Sequence, residues 1–151
     1  MDQVTELTKA WIAGFFDGEG CVSIHMQAER RGRASDSLGL TIQLSNTSLV
    51  TLETIRTAYG GRIHRKKGYK NRQQCYSWQV CGALSDIFVR AILPYSKVKL
   101  PQLELYLHAR TLFAKPHELQ KPFSNEKRLA RHDVARLAIA MKHPHVIAKG
   151  A

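Results

Sequence analysis

Asp17 and Glu19, each followed by a glycine, close the apolar run Ile12-Ala13-Gly14-Phe15-Phe16. Apolar residues at spacings of three and four make the run helical, so both carboxylates fall at its C-terminal end. The helix dipole is negative there, and the last carbonyl oxygens have no partner within the helix. Such a place attracts a hard cation, which takes oxygen ligands. The chain around it is strongly basic: 23 Lys and Arg against 12 Asp and Glu in 151 residues, a formal net charge of +11. A cation site inside a polycation points to a polyanionic partner, nucleic acid before membrane. No stretch reaches the roughly 18 apolar residues of a membrane-spanning helix. The opening Met-Asp-Gln-Val-Thr-Glu resembles neither a signal peptide nor an Arg-rich transit peptide, so the expected setting is intracellular.

The helix that carries the acids has two stripes. Leu7, Trp11 and Phe15 recur at spacing four with Ile12 and Phe16 beside them, and read as the core side. Ala10, Ala13, Gly14 and Asp17 are small, and small residues at spacings of three and four let a second helix approach closely. These four are the expected interface with an equivalent helix. The cysteines, Cys21, Cys75 and Cys81, are odd in number and form no CxxC pair. They read as buried, reduced thiols rather than a disulfide framework or a zinc site.

After Gly20 the period changes to two. Val22, Ile24, Met26 and Ala28 alternate with Ser23, His25, Gln27 and Glu29, and Leu38, Leu40, Ile42 and Leu44 alternate with polar or small neighbours. Two half-buried strands follow, joined by the basic turn at 30–37. A helix over 48–58 ends at Gly60-Gly61. The densest positive segment, 62–72, then forms a hairpin that returns through 75–81, with Tyr76, Trp78 and Val80 facing the core. A helix over 84–93 stops at Pro94, and another starts near Pro101, with Leu103, Leu107 and Phe113 on its apolar side. Ser124 caps a last helix reaching Met141, with Leu129, Val134, Leu137 and Met141 as one stripe and Lys127, Arg128, Arg131 and Arg136 opposite. The order α-β-β-α-β-β-α-α-α predicts one α+β domain over 1–151, with a core over about 5–113 and a helical extension over about 124–142.

The strands share a face of uncharged, adaptable side chains where a plain solvent face would carry more Lys and Glu. Such a surface suits base edges, while the basic hairpin suits phosphates. The expected nucleic-acid contacts are Ser23, His25, Gln27, Glu29 and Arg31, then Ser37, Thr41 and Gln43. Arg62, His64 and Lys66 from the third strand join them, with Ser77 and Gln79 from the fourth.

Ile12-Ala13-Gly14-Phe15-Phe16-Asp17-Gly18-Glu19-Gly20 resembles the signature helix of the LAGLIDADG homing endonucleases, and the element order over roughly 5–113 is similar to that family's as well. The resemblance implies a four-stranded antiparallel saddle over double-stranded DNA. It implies that Glu19 is the metal ligand, one methylene longer than the aspartate of the family name, with the Gly18 carbonyl completing the set. Asn46 matches a polar residue that holds a water near the scissile phosphate. Lys99 matches a catalytic lysine, with Lys97 as the alternative register. The implied cofactor is Mg2+, with Mn2+ as an alternative and Ca2+ binding without supporting cleavage. One copy of the motif implies a homodimer on a roughly palindromic target, since one carboxylate offers too few ligands. Two other readings use the same scaffold: an intron RNA-binding maturase, and a DNA-binding regulator that does not cut.

Overall fold

A computed structural model describes residues 4–27, 37–68, 72–113 and 122–143. Its elements are α1 (Glu6–Glu19), β1 (Gly20–Gln27), β2 (Ser37–Asn46), α2 (Leu49–Tyr59), β3 (Arg62–Arg65), β4 (Tyr76–Val80), α3 (Gly82–Ile92), α4 (Leu100–Thr111) and α5 (Asn125–Lys142). This is the expected order, and the class is α+β. The four strands form one sheet in the order β1-β2-β4-β3. β4 runs antiparallel to both its neighbours, with Leu44 opposite Trp78 and Ile63 opposite the same tryptophan. No helix among the described residues is long and apolar enough to cross a membrane.

The chain falls into two compact units. One comprises Met1–Val22 with Thr41–Leu103, the other Ser23–Leu40 with Glu104–Ala151. The first unit is built around Phe88 of α3, fully buried. Phe16 of α1 and Tyr59 of α2 meet its ring edge to face, with centroids 5.5 and 5.2 Å away, and Trp78 of β4 lies at 5.0 Å. Aromatic pairs at these separations favour such tilted geometries beyond their area burial. Trp78 also donates its indole N–H to the Gly60 carbonyl at 2.8 Å, so its polar edge is satisfied inside the core. Gly61 follows at φ +90°, and a Cβ there would lie 2.6 Å from the Gln79 carbonyl oxygen. The turn into β3 therefore needs glycine on two counts.

The second unit buries Ile24, Leu38, Leu40, Tyr106, Ala109, Val134, Ala135 and Ala138. Its last helix is capped by Ser124, whose hydroxyl accepts the Lys127 N–H, as its sequence position predicts. The face of α5 differs from expectation. Leu129 and Leu137 are 60% and 47% exposed, whereas Arg131 is 3% exposed. Arg131 stacks its guanidinium 4.5 Å over the Phe123 ring. Its aliphatic stem and flat head let it occupy a position that a leucine stripe would otherwise claim. On α2, Leu49 at 38% exposure likewise stays outside, while Leu52, Ile55 and Tyr59 turn inward.

Candidate active site and nucleic-acid interface

α1 runs to Glu19 with no basic residue in its last turn, so its negative end is uncompensated from within the helix. The chain can turn at once into β1 because residue 20 is glycine. A Cβ there would fall 2.3 Å from Cδ2 of Phe16 and 2.5 Å from the Phe16 carbonyl oxygen. Gly18 and Glu19 are both exposed at this turn.

The two acids have opposite surroundings. Asp17 is half-buried and its carboxylate is saturated. Oδ1 accepts the Ser96 hydroxyl and the Lys99 N–H at 3.0 Å. Oδ2 accepts the N–H groups of Lys97 at 2.7 Å and Val98 at 3.0 Å. A carboxylate has about four lone-pair sites, and here all are taken. Burial pushes the Asp17 pKa up, but the Ser96 hydroxyl and the three backbone N–H groups together outweigh it and leave the carboxyl below its usual range. Asp17 is thus no free ligand. Glu19 is the acid left open.

The exposed stripe of α1 also differs from expectation. Ala13 is fully buried with Ile12 and Phe16. It faces the chain's own core and has no surface to offer a second helix. Leu7 and Trp11 instead stand 82% and 45% exposed. Gly14 and Gly18 continue them at spacings of three and four, and a Cβ on either would meet nothing within 4 Å. Leu7, Trp11, Gly14 and Gly18 form one stripe opposite Phe16, with Ala10 half-buried beside it. Trp11 stacks on Phe15 with centroids 5.9 Å apart.

Asn46 ends β2, and its Oδ1 accepts the Ser48 N–H at 2.8 Å. This Asx turn leads into α2, where the Ser48 hydroxyl caps the helix by accepting the Thr51 N–H. The turn fixes the Asn46 side chain and leaves its amide NH2 as the group able to donate to a water or a phosphate.

The polar strand positions come together in each unit. In the first, Gln79 donates to Gln43 at 3.5 Å, Gln43 to Ser45 at 3.5 Å, and Ser45 to Ser77 at 3.4 Å. In the second, Ser37 donates to Gln27 at 3.1 Å, and Gln27 in turn to the His25 ring at 3.3 Å. Gly39 makes room for that imidazole, since a Cβ there would lie 2.5 Å from His25 Nε2. Bonds of this length are weak and exchange readily for bonds to a ligand. Ser77 is 6% exposed, so this expected contact is turned inward as Ser45's partner. Ser23 is half-buried, and Arg62, His64 and Lys66 are exposed. Arg62 and His64 line an open cavity of about 460 Å³ with Thr41, Gly61, Gln79, Val80, Cys81 and Leu84. Glu29 and Arg31 lie outside the described residues.

Sequence reasoning missed Cys81 and Leu84 at this cavity, and placed Leu7 and Trp11 on the core side of α1, where the structure exposes them. It also expected buried cysteines, whereas Cys21 and Cys75 are half-buried and Cys81 is exposed, all as free thiols. The signal was available in the strand period: Cys75 and Cys81 share the parity of Ser77 and Gln79, and Cys21 that of Ser23. Lys97 is exposed and Lys99 half-buried. Among the described residues no group of three or more His, Cys, Asp and Glu could hold a metal within one chain.

A family profile described as LAGLIDADG endonuclease matches residues 12–95. The fold is similar to that of the homing endonuclease I-CvuI in complex with its target, with a TM-score of 0.73 and 18% identity over 90% of this chain and 82% of that one. It is similar to an archaeal intron-encoded homing endonuclease, I-Vdi141I, complexed with DNA, at a TM-score of 0.73 and 18% identity over 90% and 84% of the two chains. The homing endonuclease I-TnaI matches with a TM-score of 0.70 and 14% identity over 89% of this chain and 93% of that one. A search of curated proteins found no match.

Proposed function

The chain belongs to the LAGLIDADG endonuclease family, and from that premise we propose that it cuts double-stranded DNA at one long, roughly palindromic site, as a homodimer dependent on a divalent metal. The observation that carries this reading is the open Glu19 carboxylate at the uncompensated end of α1, beside a neighbouring acid whose lone pairs are already used.

The donor set fits a small hard cation. Glu19 and the Gly18 carbonyl are oxygen donors of the kind that Mg2+ selects. One carboxylate per chain is too few, so the site is completed by a second copy and by the DNA phosphates. When bound, the cation supplies charge neutralisation at the phosphate and makes its water more acidic.

The protein's own groups do the rest. Glu19 of each copy holds its end of the shared centre, and two such carboxylates face each other only if their charge is offset. The amide NH2 of Asn46, held by its turn, orients a water toward the phosphate. Lys99 places a cation where negative charge grows as the phosphodiester breaks. The stripe Leu7-Trp11-Gly14-Gly18 meets its own copy, and the glycines set how closely the backbones approach. The resulting two-fold axis is what makes the target palindromic. Base edges meet Gln43, Gln79, Thr41, His25 and Gln27, while Arg62 and Lys66 meet phosphates.

Target sites recovered by binding selection from a random DNA pool, placed in a plasmid, test the reading. With Mg2+ the wild-type protein should linearise the plasmid, whereas Glu19→Gln should bind it normally and cut on the order of 10³-fold more slowly. Equal cutting by both would remove Glu19 from the centre, and binding without cutting by the wild type would leave a regulator.

A further inference from the structure

We infer that Asp17 is the positioning residue of Lys99, fixing the lysine's root against the same helix end that carries Glu19. The inference rests on the catalytic role proposed for Lys99 and adds a residue that acts only through it.

The segment between α3 and α4 has little of its own to hold it. Its first part is tied to α3, through the N–H groups of Tyr95 and Ser96 on the Ile92 carbonyl, each at 3.0 Å. Beyond Ser96, the donors at 97, 98 and 99 all turn to one carboxylate, Asp17, which also takes the Ser96 hydroxyl. Ser96 is 1% exposed, whereas Val98 beside it is 72% exposed, so the grip rather than burial holds this stretch. Lys99 is held on both sides. Its N–H goes to Asp17, and its carbonyl accepts the Leu103 N–H at 2.9 Å as α4 begins. Its Cα is therefore fixed, and the side chain starts from a defined point.

Asp17 lies two residues before Glu19 in one continuous helix, about 3 Å away along its axis. The clamp thus makes the root of the metal-binding acid and the root of the lysine parts of one rigid piece. A misplacement of about 1 Å in such a constellation costs up to about 10²-fold in rate. A merely structural clamp would change stability but not the rate at which bound DNA is cut.

The experiment is a double-mutant cycle on the full chain, read by single-turnover cleavage of prebound target in Mg2+ and by target affinity. Asp17→Asn sets an amide donor against backbone donors, and should slow cleavage about 10- to 100-fold with affinity within about twofold of wild type. Lys99→Ala should lose at least as much, and the double variant should equal Lys99→Ala within about twofold, because Asp17 then has nothing left to position. If the two losses multiply instead, Asp17 acts independently of Lys99 and the inference falls. It falls equally if Asp17→Asn cuts at the wild-type rate. Full activity of Lys99→Ala would overturn it too, and would show that the lysine's proposed role was the faulty step while leaving Glu19 untouched. Should Asp17→Asn fail to fold, Ser96→Ala carries the test. It removes one of four donors and keeps the carboxylate, so a smaller loss that vanishes in the Lys99→Ala background supports the inference, and one that persists there overturns it.

Discussion

The two sides of α1 obey opposite packing rules. On the inner side, Ile12, Ala13 and Phe16 are fully buried, and Phe16 locks onto Phe88. On the outer side, leucine and tryptophan stand in the open next to two glycines with nothing in front of them. A surface helix of a self-sufficient domain would carry charge there. The inner face is therefore finished by the chain's own core, and the outer face stays uncovered among the described residues. Residue size does not say which side is which, since Ala13 lies inside while Trp11, the largest residue of the helix, lies outside.

Substitutions at single positions separate the two faces. The largest effect is expected from Gly14→Leu. Its side chain finds open space in the protomer, so melting at low concentration should hold or rise slightly as a helix glycine is replaced. Pairing should fail in sedimentation, and plasmid cleavage with it. A dimer that persists and cuts would mean that copies do not meet through this stripe. Phe16→Ala is the inner counterpart and should cost about 3–5 kcal/mol in urea unfolding, through the cavity left beside Phe88. A loss below about 1 kcal/mol would show that the inner face collapses around the gap.

Tyr59 offers the smallest and finest test. Its ring packs on Phe88, but its hydroxyl is buried and makes no hydrogen bond among the described residues. Burial is the main cause that raises its pKa; the Lys9 ammonium opposes this, and the Glu6 carboxylate adds to it. The protonated form is thus favoured in the fold. Stability from this group is complete below the unfolded value of about 10 and is lost as pH rises through the folded one. Tyr59→Phe should be more stable by about 1 kcal/mol at neutral pH, having no buried donor to desolvate. It should also unfold less steeply above about pH 10. Unchanged alkaline unfolding would mean that the hydroxyl reaches water.

Much of the architecture was legible because local periods and caps report it. The switch from period 3.6 to period 2 at Gly20, the stop at Gly60-Gly61 and the cap at Ser124 each mark a boundary that the fold keeps. What local pattern does not carry is the choice between faces. On α1 apolar residues stand on both faces, and Phe88, 72 residues beyond Phe16, decides which is the core. On α5 a charged residue, Arg131, is inside because Phe123 offers a flat ring to its guanidinium. The proposed site was legible at Glu19, where residue type and helix end coincide. It was not legible at Asp17, whose partners are the Ser96 hydroxyl and three backbone N–H groups about 80 residues on, and backbone groups leave no trace in side-chain type.

That choice of partners has a consequence for how the protein can vary. Asp17 grips main-chain N–H groups at 97, 98 and 99, which every residue but proline possesses. The mount is therefore indifferent to its cargo. The side chains at these three positions can be exchanged by drift or by an engineer while the loop stays docked, so chemistry at this corner can evolve without reinventing the geometry beneath it.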